Sequence, residues 1–202
     1  MLNKFINKKY LQEKKINKLK DEFKDNKPFH YLVLKDFFDD YFIEQFTKEL
    51  LKQEFIKQES DLFSFKQTDD LRLIKNKIIK KFYNIFNSKE FKKYLKNITK
   101  IKAYGQIDCS GFIYGECAYL LPHDDRLENR KIAYVLNLSN DFKNNDGEEL
   151  LFYDKNKIFK KIKPEFNTLV IFKVEINKTF HEVKEVISNK KRISIAGWFN
   201  DK

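Results

Sequence analysis

The chain has three histidines, and two of them stand where chemistry could be done. His123 lies in PHDDR between two apolar runs of strand-like composition, and His181 lies in TFHEV, 58 residues later, where another such run begins. Three protein ligands on one side of an iron ion leave positions open for a co-substrate and dioxygen, which is the logic of a two-histidine, one-carboxylate site. A histidine and a carboxylate two residues apart can share one strand end, because side chains at i and i+2 face the same way. That parity selects Asp125 over Asp124, provided the bend at Pro122 leaves the alternation intact. The second histidine must then come from a distant strand, and His181 is the one available. His-x-Asp with a later histidine also arises by chance in many proteins, so the pattern does not decide the matter alone. His30, beside Pro28, reads as a structural or surface histidine.

Arg192 adds a second observation. Only four of the 41 basic residues are arginine (Arg72, Arg126, Arg130 and Arg192), and Arg192 directly follows Lys190 and Lys191. A surface cation at a strand edge would be served equally well by lysine. An arginine in this setting suggests that the planar fork is needed, and that fork suits a buried carboxylate. Ser194 should face the same side and could offer its hydroxyl. Trp198, in the same run, reads as a core residue.

These groups must be held by elements that the pattern partly reveals. Residues 2–25 carry Leu, Ile and Phe at helical spacing among lysines and predict an amphipathic helix or arm ended at Lys27-Pro28. Phe29–Leu34 predicts a short strand, and Asp39-Asp40 opens a helix over about 41–54. SDLFSFKQTDDL reads as a polar connection, and helical periodicity follows over 71–86 and 91–98. Beyond Thr99 the character changes to short runs rich in Ile, Val, Tyr and Phe. These predict strands near 101–107, 110–121, 131–138, 148–154, 157–163, 168–174, 180–187 and 192–199, with NDFKNNDGEE and KPEFN as breaks. The expected class is α+β with a mainly β core, a sandwich or jelly roll with the N-terminal helices packed on one face.

Several segments together resemble a known family. YLLPHDDRLENRKIAYVLNL, GEELLFY, FHEV and RISIAGWF look like the catalytic domain of the 2-oxoglutarate oxygenases of the prolyl-hydroxylase superfamily. The likeness is nearest to the group that hydroxylates a proline in a small-subunit ribosomal protein, and it extends over roughly residues 28–200. It implies a double-stranded β-helix, with residues 1–27 as a basic helical arm and 28–202 as a single oxygenase domain including its supporting helices. It also implies Fe(II) on His123, Asp125 and His181, with 2-oxoglutarate and O2 as co-substrates. Arg192 would hold the distal carboxylate of 2-oxoglutarate, with Tyr114, nine residues before His123, as a phenolic partner. No catalytic side chain is implied beyond the metal ligands. Two departures stand out. Asn137 occupies a position where a second tyrosine is expected, although its amide can still hydrogen-bond the co-substrate. GEEL, Gly147 to Leu150, stands where relatives tend to show paired glycines.

The implied reaction is hydroxylation of a prolyl residue in a protein or peptide, coupled to conversion of 2-oxoglutarate to succinate and CO2. Alternatives are the same iron chemistry on a nucleic acid or small molecule, or a catalytically dead β-helix that serves as a binding module. The net charge of +11 admits a nucleic-acid partner, but the lysines are scattered along the chain and accompany abundant Asn, Ile and Phe, as codon bias would produce. No apolar run approaches the roughly 18–20 residues needed to span a bilayer. The first residues are too broken by lysine for a secretory signal. Cys109 and Cys117 form no disulfide framework. The expected setting is the cytoplasm, with free thiols.

Overall fold

Side-chain alternation along the strands decides where the two cores of this molecule lie. The structure, a computed structural model, describes residues 2–127, 129–140 and 147–202. Among these, four α-helices are α1 (Glu13–Asp25), α2 (Asp40–Leu50), α3 (Lys77–Phe86) and α4 (Lys89–Thr99). The strands are β1 (Tyr31–Leu34), β2 (Ile56–Ser60), β3 (Phe63–Gln67), β4 (Ile107–Tyr114), β5 (Tyr119–His123), β6 (Arg130–Asn137), β7 (Leu150–Asp154), β8 (Lys157–Ile162), β9 (Thr168–Lys173), β10 (His181–Val183) and β11 (Arg192–Asn200).

All the strand pairings are antiparallel, in the order β1-β9-β6-β11-β4-β3-β5-β10-β7-β8, with β2 pairing β3. The sheet curls, and β3 joins its two halves by pairing both β4 and β5. On β6, Ile132, Tyr134 and Leu136 face the helices while Ala133 and Val135 face the inside of the curl; on β9, Leu169 and Ile171 oppose Val170 and Phe172 in the same way. One core thus lies between the helices and the sheet, and the other lines the barrel. This is the expected double-stranded β-helix architecture.

The helix starts follow their caps. The side chains of Asp39, Asn76 and Ser88 accept from backbone N–H groups in the first turns of α2, α3 and α4. Phe82, Phe86 and Phe91 stack face to face down the helical layer, and Phe86 also meets Tyr134 and Phe199 of the sheet.

Some boundaries differ from the sequence reading, for identifiable reasons. Residues 2–25 do not form one helix: short 3-10 turns at Leu2–Lys4 and Lys8–Leu11 precede α1. Asn7 N–H donates to Phe37 O and Asp39 N–H to Phe5 O, so this stretch pairs with a distant segment and cannot be helical. The same region buries Ile6, Tyr10, Leu19 and Phe23 in the helical core.

The stretch read as a polar connection, residues 60–71, holds the hairpin turn and β3, while β2 just before it is exposed at every residue, so no apolar alternation advertises it. The run 110–121 is split between β4 and β5 by a turn at Gly115–Ala118, and 101–106 is not strand. The strand expected at 180–187 shortens to His181–Val183, and the helices expected at 71–86 and 41–54 shrink to α3 and α2. Residues 141–146 of the NDFKNNDGEE break lie outside the described residues.

Phe86, with no exposed surface, touches both layers. Phe86→Ala should cost about 3–5 kcal/mol, as other buried Phe truncations do. Urea unfolding measures this, and a loss near zero would show that the helices do not depend on this contact.

Candidate metal centre and co-substrate cavity

His123 ends β5 and His181 begins β10, and the register of this antiparallel pair sets the two directly opposite each other. Their ring centroids are 4.2 Å apart. Each ring is oriented in the same way. His123 Nδ1 lies 2.9 Å from Leu121 O, and His181 Nδ1 lies 2.9 Å from Thr179 O. A carbonyl only accepts, so Nδ1 carries the proton in both rings and the Nε2 lone pairs remain for another partner. Both Nε2 atoms stand 3.5 Å from Asp125, one from each carboxylate oxygen. The ligand atoms of the three residues all lie within 4.8 Å of one another.

Asp125 arrives by a route the sequence does not suggest. β5 stops at His123, and Asp125 adopts φ 56°, in the left-handed region. Its carboxylate is placed by a tight turn rather than by strand alternation. Asn and Asp tolerate this conformation better than other non-glycine residues.

The electrostatics suit a divalent cation. Burial alone would raise the Asp125 pKa, but the contact with His123 and the nearby histidine charges hold it at about 2. Burial, then the neighbouring His123, lowers His181 to about 4. His123 is pulled down by burial yet raised overall by Asp125.

The three residues open onto a cavity of about 510 Å³, also lined by Arg192, Tyr114, Ser194, Arg130 and Trp198. β11 carries Arg192, Ser194, Ala196 and Trp198 on its inward face, and Arg192 pairs in register with Tyr114 on β4. The Arg192 guanidinium carbon is 5.2 Å from the Tyr114 ring centroid. Burial lowers the Arg192 pKa, while Tyr114 and Glu148 favour its charged form. Burial pushes Tyr114 up to about 12. Asn137 lies behind the guanidinium, its Oδ1 accepting from Arg192 Nη2 at 3.4 Å. In GEEL, consecutive residues Gly147 (φ 84°) and Glu148 (φ 49°) both take left-handed conformations, which paired glycines would adopt without strain.

Trp198, expected in the core, packs against the barrel core and also lines the cavity. Its period-two relation to Arg192 and Ser194 was the available signal. Arg130, which the sequence reading left without a role, lies 3.2 Å above the Trp198 ring and 3.7 Å from Asp125 Oδ1. The Trp198 indole is near enough to help keep Asp125 ionised, though short of hydrogen-bond geometry. His30, whose Nδ1 lies 2.9 Å from Phe23 O, takes no part.

The residues fit Fe(II) and a dicarboxylate. Two imidazole nitrogens and a carboxylate on one side leave an open metal site. Among the described residues, no acceptor reaches the buried Arg192 Nε or Asn137 Nδ2. A buried donor left so costs about 1–3 kcal/mol unless a ligand satisfies it, and a carboxylate in the cavity would do so.

Residues 109–200 match the family model of the 2OG-Fe(II) oxygenase superfamily. The chain carries a 2OG-Fe(II) oxygenase domain, whose cofactor is Fe(II) and whose co-substrates are 2-oxoglutarate and O2. Among named relatives it is similar to prolyl 3-hydroxylase OGFOD1 of Xenopus laevis, 36% identical over 184 residues covering 87% of this chain and 36% of that protein. Prolyl 3,4-dihydroxylase OGFOD1 of Ostreococcus tauri is 34% identical over 199 residues, covering 87% of this chain and 38% of that protein. The chain therefore spans a little over a third of the length of these relatives.

Among solved structures, a Pseudomonas putida prolyl-4-hydroxylase has the same fold, with a TM-score of 0.75 at 16% identity over 91% of this chain and 99% of that one. A Trichoplax adhaerens prolyl hydroxylase, solved with a hypoxia inducible factor peptide fragment, scores 0.73 at 16% identity over 96% of each chain.

On acidification His123, whose pKa Asp125 raises, should be the first of the three to take up a proton, ahead of His181 at about 4 and Asp125 at about 2, so its proton is the first to compete with a metal ion. Affinity should fall as pH drops through the raised His123 pKa. Calorimetric titration in buffers of differing ionisation enthalpy counts the protons; release from both histidines would contradict these environments.

Proposed function

We propose that this chain hydroxylates a prolyl residue in a protein or peptide, using Fe(II), 2-oxoglutarate and O2. The observation that carries the reading is one cavity holding, on one wall, two histidines and a carboxylate and, on another, a buried arginine with an unsatisfied donor. The named prolyl hydroxylase relatives support the choice of substrate. So does the exposed apolar rim of Leu62 and Leu121, which suits a peptide better than a polyanion.

In this reading His123, Asp125 and His181 bind the metal, their rings pre-oriented by the Leu121 and Thr179 carbonyls. Arg192 binds the distal carboxylate of 2-oxoglutarate, Tyr114 and Ser194 flank it, and Asn137 steadies the guanidinium. When bound, the iron and its co-substrates supply oxidative decarboxylation of 2-oxoglutarate to succinate and CO2, with the second oxygen atom of O2 entering a substrate C–H bond. The protein orients both partners and keeps water from the apolar interior formed by Phe172, Val135 and Val183. The likeness of LLPHDD and RISIAGWF to the ribosomal group makes a proline of a small-subunit ribosomal protein the first substrate to test.

The test is succinate formation by the purified chain with proline-containing peptides, nucleic acid and no substrate, alongside mass spectrometry. The expected result is peptide-dependent succinate and a peptide gaining one oxygen atom, both abolished by His181→Ala. Oxygen transfer to nucleic acid alone would overturn the substrate assignment. Arg192→Lys keeps the charge but loses the fork, and should raise the KM for 2-oxoglutarate about tenfold or more, the worth of one charge-assisted hydrogen bond. An unchanged KM would remove Arg192 from the co-substrate site.

A further inference from the structure

Asp124 separates two proposed metal ligands in sequence, yet it does not line the cavity that holds His181 and Arg192. Its side chain is 3% exposed. Oδ2 accepts from the backbone N–H of Asn177 at 2.7 Å, and Oδ1 accepts from Arg126 Nε at 2.8 Å. Asn177 lies 53 residues away, in the segment that leads into His181. Arg126 Nη2 also donates to Asn177 Oδ1 at 3.3 Å.

The segment gripped by Asp124 is a closely hydrogen-bonded turn. Asn177 takes φ 62°, Lys178 N–H and Thr179 N–H donate to Glu175 O, and Glu175 N–H donates to Thr179 Oγ1 at 3.2 Å. Thr179 is completely buried, and its carbonyl fixes the His181 ring through Nδ1. His181 Nε2 then returns to Asp125 Oδ2 at 3.5 Å. A closed circuit therefore runs from Asp124 through Asn177, the turn, Thr179 and His181 to Asp125, the residue bonded to Asp124.

We propose that Asp124 is a positioning residue for the metal centre, holding the 175–179 turn so that His181 meets the ion together with Asp125. This rests on the metal-binding reading of His123, Asp125 and His181. A buried carboxylate that accepts from a backbone N–H makes a stronger link than a surface ion pair. The exposed Arg126 contact is the lesser part of the clasp. Partners that orient metal ligands typically tune affinity by about 10–100-fold.

The experiment measures Co(II), a redox-stable stand-in for Fe(II), binding to the folded chain by calorimetry and by its visible d–d absorption, with melting temperature recorded with and without the ion. Asp124→Ala should weaken Co(II) binding about tenfold or more and shrink the Co(II)-induced rise in Tm. Arg126→Ala should bind nearly as wild type. Asp124→Asn, which keeps an oxygen acceptor for the Asn177 N–H, should recover affinity to within about threefold.

Wild-type affinity and d–d spectrum in Asp124→Ala, or an Asp124→Asn protein no better than about tenfold weakened, overturns the proposal. Should Asp124→Ala not fold, Asp124→Asn alone decides by the same criterion. A wild-type chain that binds no Co(II), or a His181→Ala variant that binds it equally well, overturns the metal reading itself and this proposal with it.

Discussion

The pairing of β10 with β5 places His181 across from His123, and the candidate site depends on that register. Side chains opposite one another on antiparallel strands stand about 4.5–5.5 Å apart at Cβ. Two histidines so placed need only small rotations to aim their Nε2 atoms at one point. The carbonyls two residues before each ring supply those rotations. A slip of one residue in β10 would turn His181 to the opposite face and leave Glu182 in its place. The short β10 is fixed on its other edge by β7, where His181 faces Phe152. Phe152 and Phe172 pack edge-on to the His181 ring and complete its apolar surroundings.

The rest of the fold makes this curl possible. The inward faces of β6, β9 and β11 bring Ala133, Val135, Phe172 and Ala196 to the cavity, while their outward faces send Tyr134, Ile171 and Phe199 into the helical layer. The helices pack against one half of the sheet, and β3 links it to the half that carries the histidines. Arg192 sits at the start of β11, buried to 1% exposure, where Tyr114 and Glu148 favour its charge and a bound anion would balance it. Burial that strengthens each charge interaction also penalises any charge left unpaired. The cavity is thus primed for a small dianion and an ion of opposite sign.

Much of this was legible from residue type and spacing. The two histidines, the neighbouring carboxylate and a lone arginine among lysines point to the residues that the structure draws together around one cavity. β6 and β9 follow near-continuous apolar runs, because both of their faces are buried.

What was not legible depends on non-local contacts. β2 exposes every residue and is a strand only because β3 lies beside it. The break in the N-terminal helix comes from backbone bonds to residues 37 and 39. Asp125 was chosen by strand parity, but a left-handed turn is what brings it beside the two histidines. Trp198 packs against the barrel core as expected, and its parity with Arg192 also puts it on the cavity wall. The grip of Asp124 on Asn177 carries no local signature at all.

The most direct measurement is anaerobic addition of Fe(II) and 2-oxoglutarate to the chain, followed by visible absorption. A charge-transfer band that requires both additions, vanishes in His123→Ala and weakens in Arg192→Ala is the expected result. A demonstrably folded chain that gives no band with both present would contradict the assignment of this cavity to iron and 2-oxoglutarate.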